Sequence, residues 1–577
     1  MKVLYPTDPI VLAVIALHGK ESAEYEDLPV MRPDQIKAIE RVRREMDLDG
    51  NPEATGSALI GAGLGSGKTV ITAEVILDMY AKTSDAERGN LRVLIVGVRD
   101  AYGQWAEALR DQSDGALPPL RRIMNTSKAG QAARADFMAG VPGIYYSGLE
   151  LLRAGDWETK VGPSWEMDES IKSLFPPGVV PDFTEPERKR VQRRVYRKIR
   201  PPDLIISDES HKHSTRGTAG LKTIHTIPSR RKIALSGTFY GDRFENAWAT
   251  GRWLFPEARD ADDNWIVNPN FKVWLRQHAI VQKVFSKAGR PVKTPRGAQV
   301  TKVTGERVPG SFVKSLPCYV FIKTPVGPVP PSEIVKVELT GVELTQYRQM
   351  ERQSLAWLKT ETGAKKPLRA DLPVTQRIRL RSATLGEMTL VPREGYDEDG
   401  NELPPTITFS PGCKSAKLAA LHKVLHRPTW IGKKALILVH SKSFAKETAR
   451  RIAAKYPGQV VLKTGDTRPK DWDTDKARFM QPLTGDPSQD VLYLVAVISA
   501  VGTATDGLQR ECSKVVWLSE DEWETANIQG SNRVWRSGVN MDEYESVKIV
   551  TDDTIDEEVM ENNEKKKSGI LGGVEHE

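Results

Sequence analysis

The sequence predicts an α/β protein built on two doubly wound parallel sheets, and three observations carry that prediction. A glycine-rich stretch from Gly61 to Thr69 sits between a short apolar run (Ala58, Leu59, Ile60) and a segment with the pattern of a buried helix (Val70, Ile71, Ala73, Val75, Ile76, Leu77). Further short apolar runs alternate with helical patterns, and polar motifs fall at the ends of the runs, where an open parallel sheet binds its ligand. The alternation lapses into a Pro, Gly and Lys-rich stretch at residues 261–334 and then resumes, which divides the chain in two. The expected units are 1–260, a basic linker or insertion at 261–334, 335–550, and a polar tail at 551–577 that forms a terminal helix or frays.

Composition sets the outer bounds. A chain of 577 residues with 39% hydrophobic and 28% charged residues is long enough for several units with large cores and is not broadly disordered. The net charge of +7 permits a polyanionic partner. Cys318, Cys413 and Cys512 lie far apart, so neither a disulfide framework nor a zinc site is indicated. The apolar run Ile10 to Leu17 follows Pro6 and Asp8 without a small-residue cleavage site and reads as a buried element. No stretch reaches the ~18 apolar residues of a membrane span. The expectation is a soluble protein of the cytoplasm, the host's cytoplasm if a phage encodes it, with no membrane partner.

Taken in order, Arg32-Pro33-Asp34-Gln35 opens an amphipathic helix carrying Ile36, Ile39, Val42 and Met46. The Gln35 amide can hydrogen-bond an adenine edge, although a surface glutamine is the commoner fate. Val93 to Val98 reads as a buried strand, followed by Gln104-Trp105 and a helix with Ala108 and Leu109. Ile144 to Ser147 is a further strand, and Leu204 to Ser207 another that runs into Asp208-Glu209-Ser210-His211. Ile233-Ala234-Leu235 leads into Ser236-Gly237-Thr238. Two segments are strongly basic. Residues 188–200 read equally as a phosphate-tracking surface or as a charged helix with Val191, Val195 and Ile199 inward. Between Lys283 and Lys323, nine basic residues, Lys287, Arg290 and Lys293 among them, face the single acid Glu306, which favours phosphate contacts over a solvated loop. The second unit opens with an alternating strand, Ile334 to Leu339. Helical material with Tyr347, Met350, Leu355 and Leu358 follows, then a hairpin-type turn at Asp399-Gly400. Strands return at Ala435 to Val439, Val460 to Leu462, Val491 to Val495 and Val515 to Leu518.

The motifs can do specific chemistry. Strand, glycine loop and helix is the setting of a phosphate-binding loop: glycines turn backbone N–H groups toward phosphate, Lys68 reaches the β/γ-phosphates, and the Thr69 hydroxyl can sit on Mg²⁺. An ordinary turn is the bland alternative. Asp208, at a strand end, would hold the metal, and Glu209 would orient and deprotonate an attacking water; an acidic turn is the alternative. His211 could link Glu209 to Ser236 and Thr238. In Gln529-Gly530-Ser531-Asn532-Arg533-Val534-Trp535-Arg536, two arginines at i and i+3 share a face of a predicted helix. Arg536 is the first choice for a finger on the γ-phosphate, with Arg533 assisting; standing alone, the stretch would be a basic surface helix. The hydroxyl-rich loop Ser499 to Gln509, with Thr503 and Thr505, suits backbone-phosphate contacts or nucleotide sensing.

The ordered set of Gln35, residues 62–69, Asp208 to His211, Leu235 to Thr238, the 499–509 loop and Gln529 to Arg536 resembles a superfamily two helicase core of the DEAD/DEAH type. Within it the chain is most similar to the Swi/Snf-like DNA-dependent ATPases, through Met31 to Gln35, Gln104-Trp105, Leu235 to Pro256 and Val335 to Tyr347. The resemblance spans about residues 28–560 and is closer to the compact helicases of bacteria and their phages than to a chromatin remodeller. Phe239 stands where the family usually has proline, and Glu524-Thr525 where Asn-Pro is common. The resemblance implies two RecA-like lobes with ATP and Mg²⁺ in the cleft and nucleic acid across both. Nucleotide contacts would come from Arg32, Gln35, Ala62, Gly63, Leu64, Gly65, Ser66, Gly67, Lys68, Thr69 and Val70, and coupling from His211, Ser236, Thr238 and Gln529. The expected function is an ATP-dependent DNA translocase or helicase acting on duplex or single-stranded DNA, with replication, repair or recombination proteins as partners. A DExH-type RNA helicase, a nucleic-acid-binding ATP switch without productive hydrolysis, and the motor subunit of a restriction or repair complex stay open.

Overall fold

Short runs of branched apolar residues buried on both faces pair in parallel, because helices cover each side and leave no wet face. The computed structural model describes residues 31–572 except 49–50, 52, 64, 154–199, 216–217, 242, 285–290, 292–298, 300, 324–325, 361–362, 364, 371, 392, 394–404, 502–504 and 506, and there such runs build two separate sheets. The N-terminal apolar run, most of the 188–200 segment and the Asp399-Gly400 turn lie outside the described residues.

The first sheet is assembled from α1 (Pro33–Glu45), β1 (Ser57–Ala62), α2 (Lys68–Lys82), β2 (Arg92–Val96), α3 (Tyr102–Gln112), β3 (Arg121–Arg122), α4 (Lys128–Ala139), β4 (Gly143–Ser147), β5 (Leu204–Ser207), α5 (Ala219–Thr226), β6 (Arg231–Ser236), α6 (Asn246–Leu254), α7 (Phe271–His278), the hairpin β7 (Ala279–Lys283) and β8 (Thr301–Glu306), and β9 (Tyr319–Ile322). The order is β3-β4-β2-β5-β6-β1-β9, parallel throughout. Strands β1, β2, β4 and β5 are buried along their whole length. Because β6 lies between β5 and β1, the residues that follow these three strands share one stretch of the sheet's C-terminal edge.

The 261–334 segment, expected as a linker or insertion, contributes a strand to this sheet. Residues Leu59 to Ala62 of β1 pair with Tyr319 to Ile322 of β9. Without β9, the inner strand that leads into the glycine loop would be an open edge. The same segment supplies Trp274 and Phe312, which pack with Phe244 in an aromatic cluster.

The second sheet follows with β10 (Glu333–Val337), α8 (Gly341–Gln353), β11 (Leu355–Thr360), β12 (Lys365–Arg369), α9 (Pro373–Ala383), β13 (Thr389–Val391), β14 (Thr406–Thr408), α10 (Ala416–Leu425), β15 (Ala435–Val439), α11 (Lys442–Lys455), β16 (Val460–Lys463), α12 (Pro469–Phe479), β17 (Tyr493–Val497), β18 (Lys514–Trp517), α13 (Glu524–Ser531), β19 (Glu545–Thr551) and α14 (Ile555–Gly572). Its order is β10-β19-β18-β15-β17-β16, again all parallel. Alternate residues of β15 serve two cores: Ala435, Ile437 and Val439 face one cluster, Leu436 and Leu438 the other. Strands β11 to β14 form a small separate sheet. The helix expected over Tyr347 to Leu358 stops at Gln353. Ser354 turns left-handed (φ 52°), and Leu355 and Leu358 belong to β11, where Ala356, Leu358 and Thr360 point inward. Among the described residues no helix is long and apolar enough to cross a membrane.

Candidate active site

The glycine loop leaves β1 and reaches the first turn of α2 through two left-handed glycines, Gly65 (φ 80°) and Gly67 (φ 92°). Behind the loop, Gln35 is buried and both ends of its amide are engaged. Its Oε1 accepts the Arg32 N–H at 2.8 Å and its Nε2 donates to the Ser66 carbonyl at 2.8 Å. In this structure the Gln35 amide, expected from the sequence to be able to meet an adenine edge, bonds the backbone of the glycine loop. A Cβ on Gly67 would lie 2.5 Å from that Nε2, so the close fit admits only glycine. Arg32 reaches the same carbonyl at 3.4 Å and the Lys323 carbonyl, just after β9, at 3.2 Å. Leu64 lies outside the described residues; Thr69 and Val70 occupy the first turn of α2 and are half-buried.

Lys68 folds back so that Nζ donates to the Ala62 carbonyl at 3.1 Å. Burial lowers its pKa, with the nearby charges of Glu209 and Asp208 opposing. Asp208, one residue past β5, is fixed from two sides: the indole Nε1 of Trp105 donates to Oδ2 at 2.9 Å and the Glu209 N–H donates to Oδ1 at 3.0 Å. Burial, then the neighbouring Glu209 carboxylate, pushes its pKa up to about 6, and the Trp105 bond pulls the other way. Glu209 takes a left-handed conformation (φ 49°, ψ 51°). Its Oε2 is buried and has no hydrogen-bond partner among the described residues, standing 3.4 Å from His211 Nδ1. Burial would raise the Glu209 pKa, but the charges of His211, Lys68 and Lys212 carry it below the ordinary value.

His211, Ser236 and Thr238 meet as expected from the sequence. The His211 Nδ1 lies 3.0 Å from Ser236 Oγ and 3.4 Å from Thr238 Oγ1, and Ser236 Oγ accepts the Thr238 N–H at 3.1 Å. The acidic motif after β5 is thereby tied to the loop after β6.

The second lobe supplies the far wall. Helix α13, with buried Gln529, ends at Ser531, so Arg533 and Arg536 lie in the turns beyond it and not on one helical face. Arg533 is buried and its Nη1 donates to the Thr505 carbonyl at 3.0 Å. Arg536 reaches the glycine loop: its Nε and Nη2 each lie 3.2 Å from the position a Cβ on Gly65 would take. Both arginines act on Lys68 electrostatically. Nearby, Trp535 Nε1 donates to the Gly327 carbonyl in the segment between the lobes, at 3.2 Å.

Thr505, expected as a possible DNA contact, is 1% exposed, and its carbonyl accepts a bond from Arg533. Thr503, Lys287, Arg290 and Lys293 lie outside the described residues. Trp105 is a residue of the candidate site that sequence reasoning did not assign to it; the Gln104-Trp105 pair entered as a feature after the second strand and as part of a resemblance, and nothing local says which carboxylate an indole will meet.

These groups fit a phosphorylated ligand with a divalent ion. The loop is shaped by glycines, an ammonium and two half-buried carboxylates stand together, and Ser66 Oγ and Glu209 Oε2 have no hydrogen-bond partner among the described residues. No group of three or more His, Cys, Asp or Glu side chains suited to a metal occurs among the described residues. An ion held by Thr69 and Asp208 would complete its shell with phosphate and water oxygens, as Mg²⁺ does.

The fold is thus α/β with two RecA-like parallel-sheet lobes, and the candidate site lies where the glycine loop of one meets Arg536 of the other. No protein-family model matches the chain, and no curated protein does. Among solved structures it is similar to the Sulfolobus solfataricus SWI2/SNF2 ATPase core in complex with dsDNA, at 13% identity over 94% of this chain and 93% of that one, with a TM-score of 0.34.

Proposed function

We propose that the protein is an ATP-dependent DNA translocase of the Swi/Snf-like kind, hydrolysing Mg·ATP between its two lobes. The observation that carries this reading is the composite site: Arg536 of the second lobe lies against Gly65, across from half-buried Lys68, Asp208 and Glu209 of the first. Mg²⁺, when bound, neutralises phosphate charge; Thr69 and Asp208 are the residues that would hold it. Loop N–H groups and Lys68 bind the phosphates. Glu209 accepts a proton from the water that attacks the terminal phosphorus, the new oxygen–phosphorus bond forms as the bridging bond breaks, and the leaving diphosphate keeps its bridging oxygen. Arg536, with Arg533 behind it, stabilises charge on the transferring group. The hydrogen bonds from His211 to Ser236 and Thr238 pass a change at Glu209 to the neighbouring strand end.

Nucleic acid enters through charge, since the chain is net basic and the 283–323 segment is nearly free of acids. The choice between DNA and RNA is made by ATPase rates with single-stranded, duplex and forked DNA and with RNA. Stimulation by DNA supports the proposal, and stimulation by RNA alone moves the assignment to an RNA helicase. Lys68→Ala and Glu209→Gln should each abolish stimulated hydrolysis; turnover like the wild type in either variant is incompatible with this site.

A further inference from the structure

A second constellation, sharing no residue with the nucleotide site, lies on the second lobe where α10 and α11 end side by side. The residue that caps each helix C-terminus touches the other: the Tyr456 hydroxyl lies 2.9 Å from His426 Nε2. The C-terminal ends of two helix dipoles give this spot a negative potential that favours a cation. His422 and His426 stand one helical turn apart with their rings stacked, centroids 4.1 Å from each other. The His426 Nδ1 must carry a hydrogen, because it meets the His422 carbonyl at 2.7 Å and a carbonyl can only accept. Its Nε2 therefore presents a lone pair. The Lys455 ammonium sits 3.3 Å from that lone pair and also contacts His422 Nε2, so both imidazoles direct acceptors at one cationic point. Both histidines are exposed at the rim of a pocket of about 270 Å³ floored by Leu418, Leu421 and Ile452.

We propose that His422 and His426, with the Tyr456 oxygen, bind a late first-row divalent cation such as Zn²⁺ at the point the Lys455 ammonium takes in this structure. Two imidazoles at i and i+4, one in the last turn of α10 and one at its C-cap, have the spacing that chelates zinc. Imidazole nitrogen selects such ions over Mg²⁺. Lys455, on a flexible four-carbon stem, swings out as the ion enters, and water fills the remaining position. The site is independent of the proposed ATPase.

Equilibrium dialysis of the full chain against Zn²⁺, without nucleotide, tests this. The wild type should retain an ion that the His422→Gln/His426→Gln double variant loses, and His426→Gln alone should weaken binding about tenfold or more. Lys455→Met should tighten binding severalfold, because it removes a competing positive charge; a mere hydrogen-bond cluster predicts no such gain. Circular dichroism matching the wild type shows that each variant is folded. The proposal is overturned if the wild type retains no Zn²⁺, if the double variant binds as much as the wild type, or if Lys455→Met fails to tighten binding.

Discussion

Replacing Trp105 with phenylalanine should raise the Mg²⁺ requirement of the proposed ATPase while leaving the fold in place. Trp105 is fully buried, and its indole N–H donates to Asp208 Oδ2 at 2.9 Å. Hydrogen bonds to charged acceptors contribute about 1.5–3 kcal/mol, equivalent to roughly 10- to 150-fold in an equilibrium constant. The sign follows from the site: burial already pushes the Asp208 pKa up to about 6, and the Trp105 bond is the first of the influences opposing it. Without the N–H the carboxylate is harder to ionise and less well aimed, so it holds a divalent ion less tightly. The assay is the Mg²⁺ concentration giving half-maximal DNA-stimulated turnover, expected to rise about tenfold or more. A Trp→Phe change in a packed core also costs about 1–3 kcal/mol of stability, so Trp274→Phe serves as the control. Trp274 is equally buried in the same lobe, and its Nε1 has no hydrogen-bond partner among the described residues. A Trp105→Phe protein with the wild-type Mg²⁺ requirement, or a Trp274→Phe protein with the same shift, would refute the positioning role.

Arg536→Ala should lower single-turnover hydrolysis about 10³-fold or more, with binding of a non-hydrolysable nucleotide kept within severalfold; equal losses in both would make Arg536 a binding residue. Gly67→Ala places a Cβ 2.5 Å from Gln35 Nε2 at φ 92°, a strain of about 1–3 kcal/mol, and fluorescent-nucleotide titration should show weaker binding. Lys417 is 1% exposed, donates to the Leu518 carbonyl at 2.6 Å and pairs with Asp556. Lys417→Met should therefore cost about 3–5 kcal/mol in urea unfolding, part of it recovered by adding Asp556→Asn.

What the sequence disclosed was what is local. Strands β2, β5 and β15 are dominated by apolar runs because both faces are buried, and the glycine loop and the Asp208 motif each lie within a few consecutive residues. Helical phase was a poor guide to Arg533 and Arg536, because α13 stops at Ser531 and it is the turn beyond that aims Arg536 at Gly65. Strand β9 is only four residues in a basic, proline-rich stretch; a partner far away in sequence makes it a strand. Gln35 and Thr505 show the same limit from the polar side, since which hydrogen bond a buried amide or loop carbonyl accepts or donates is settled by tertiary contact.

The position of β9 has a mechanical consequence. The chain leaves the first lobe at Ile322, whose carbonyl accepts the Gly63 N–H at 3.2 Å, and the next carbonyl, that of Lys323, takes a bond from Arg32. The connection out of the first lobe is thus anchored beside the glycine loop. In the proposed cycle, a lever with its fulcrum this close to the load would convert a slight rotation, enough to change the contact between Arg536 and the loop, into the longest excursions at the outer surfaces of the second lobe.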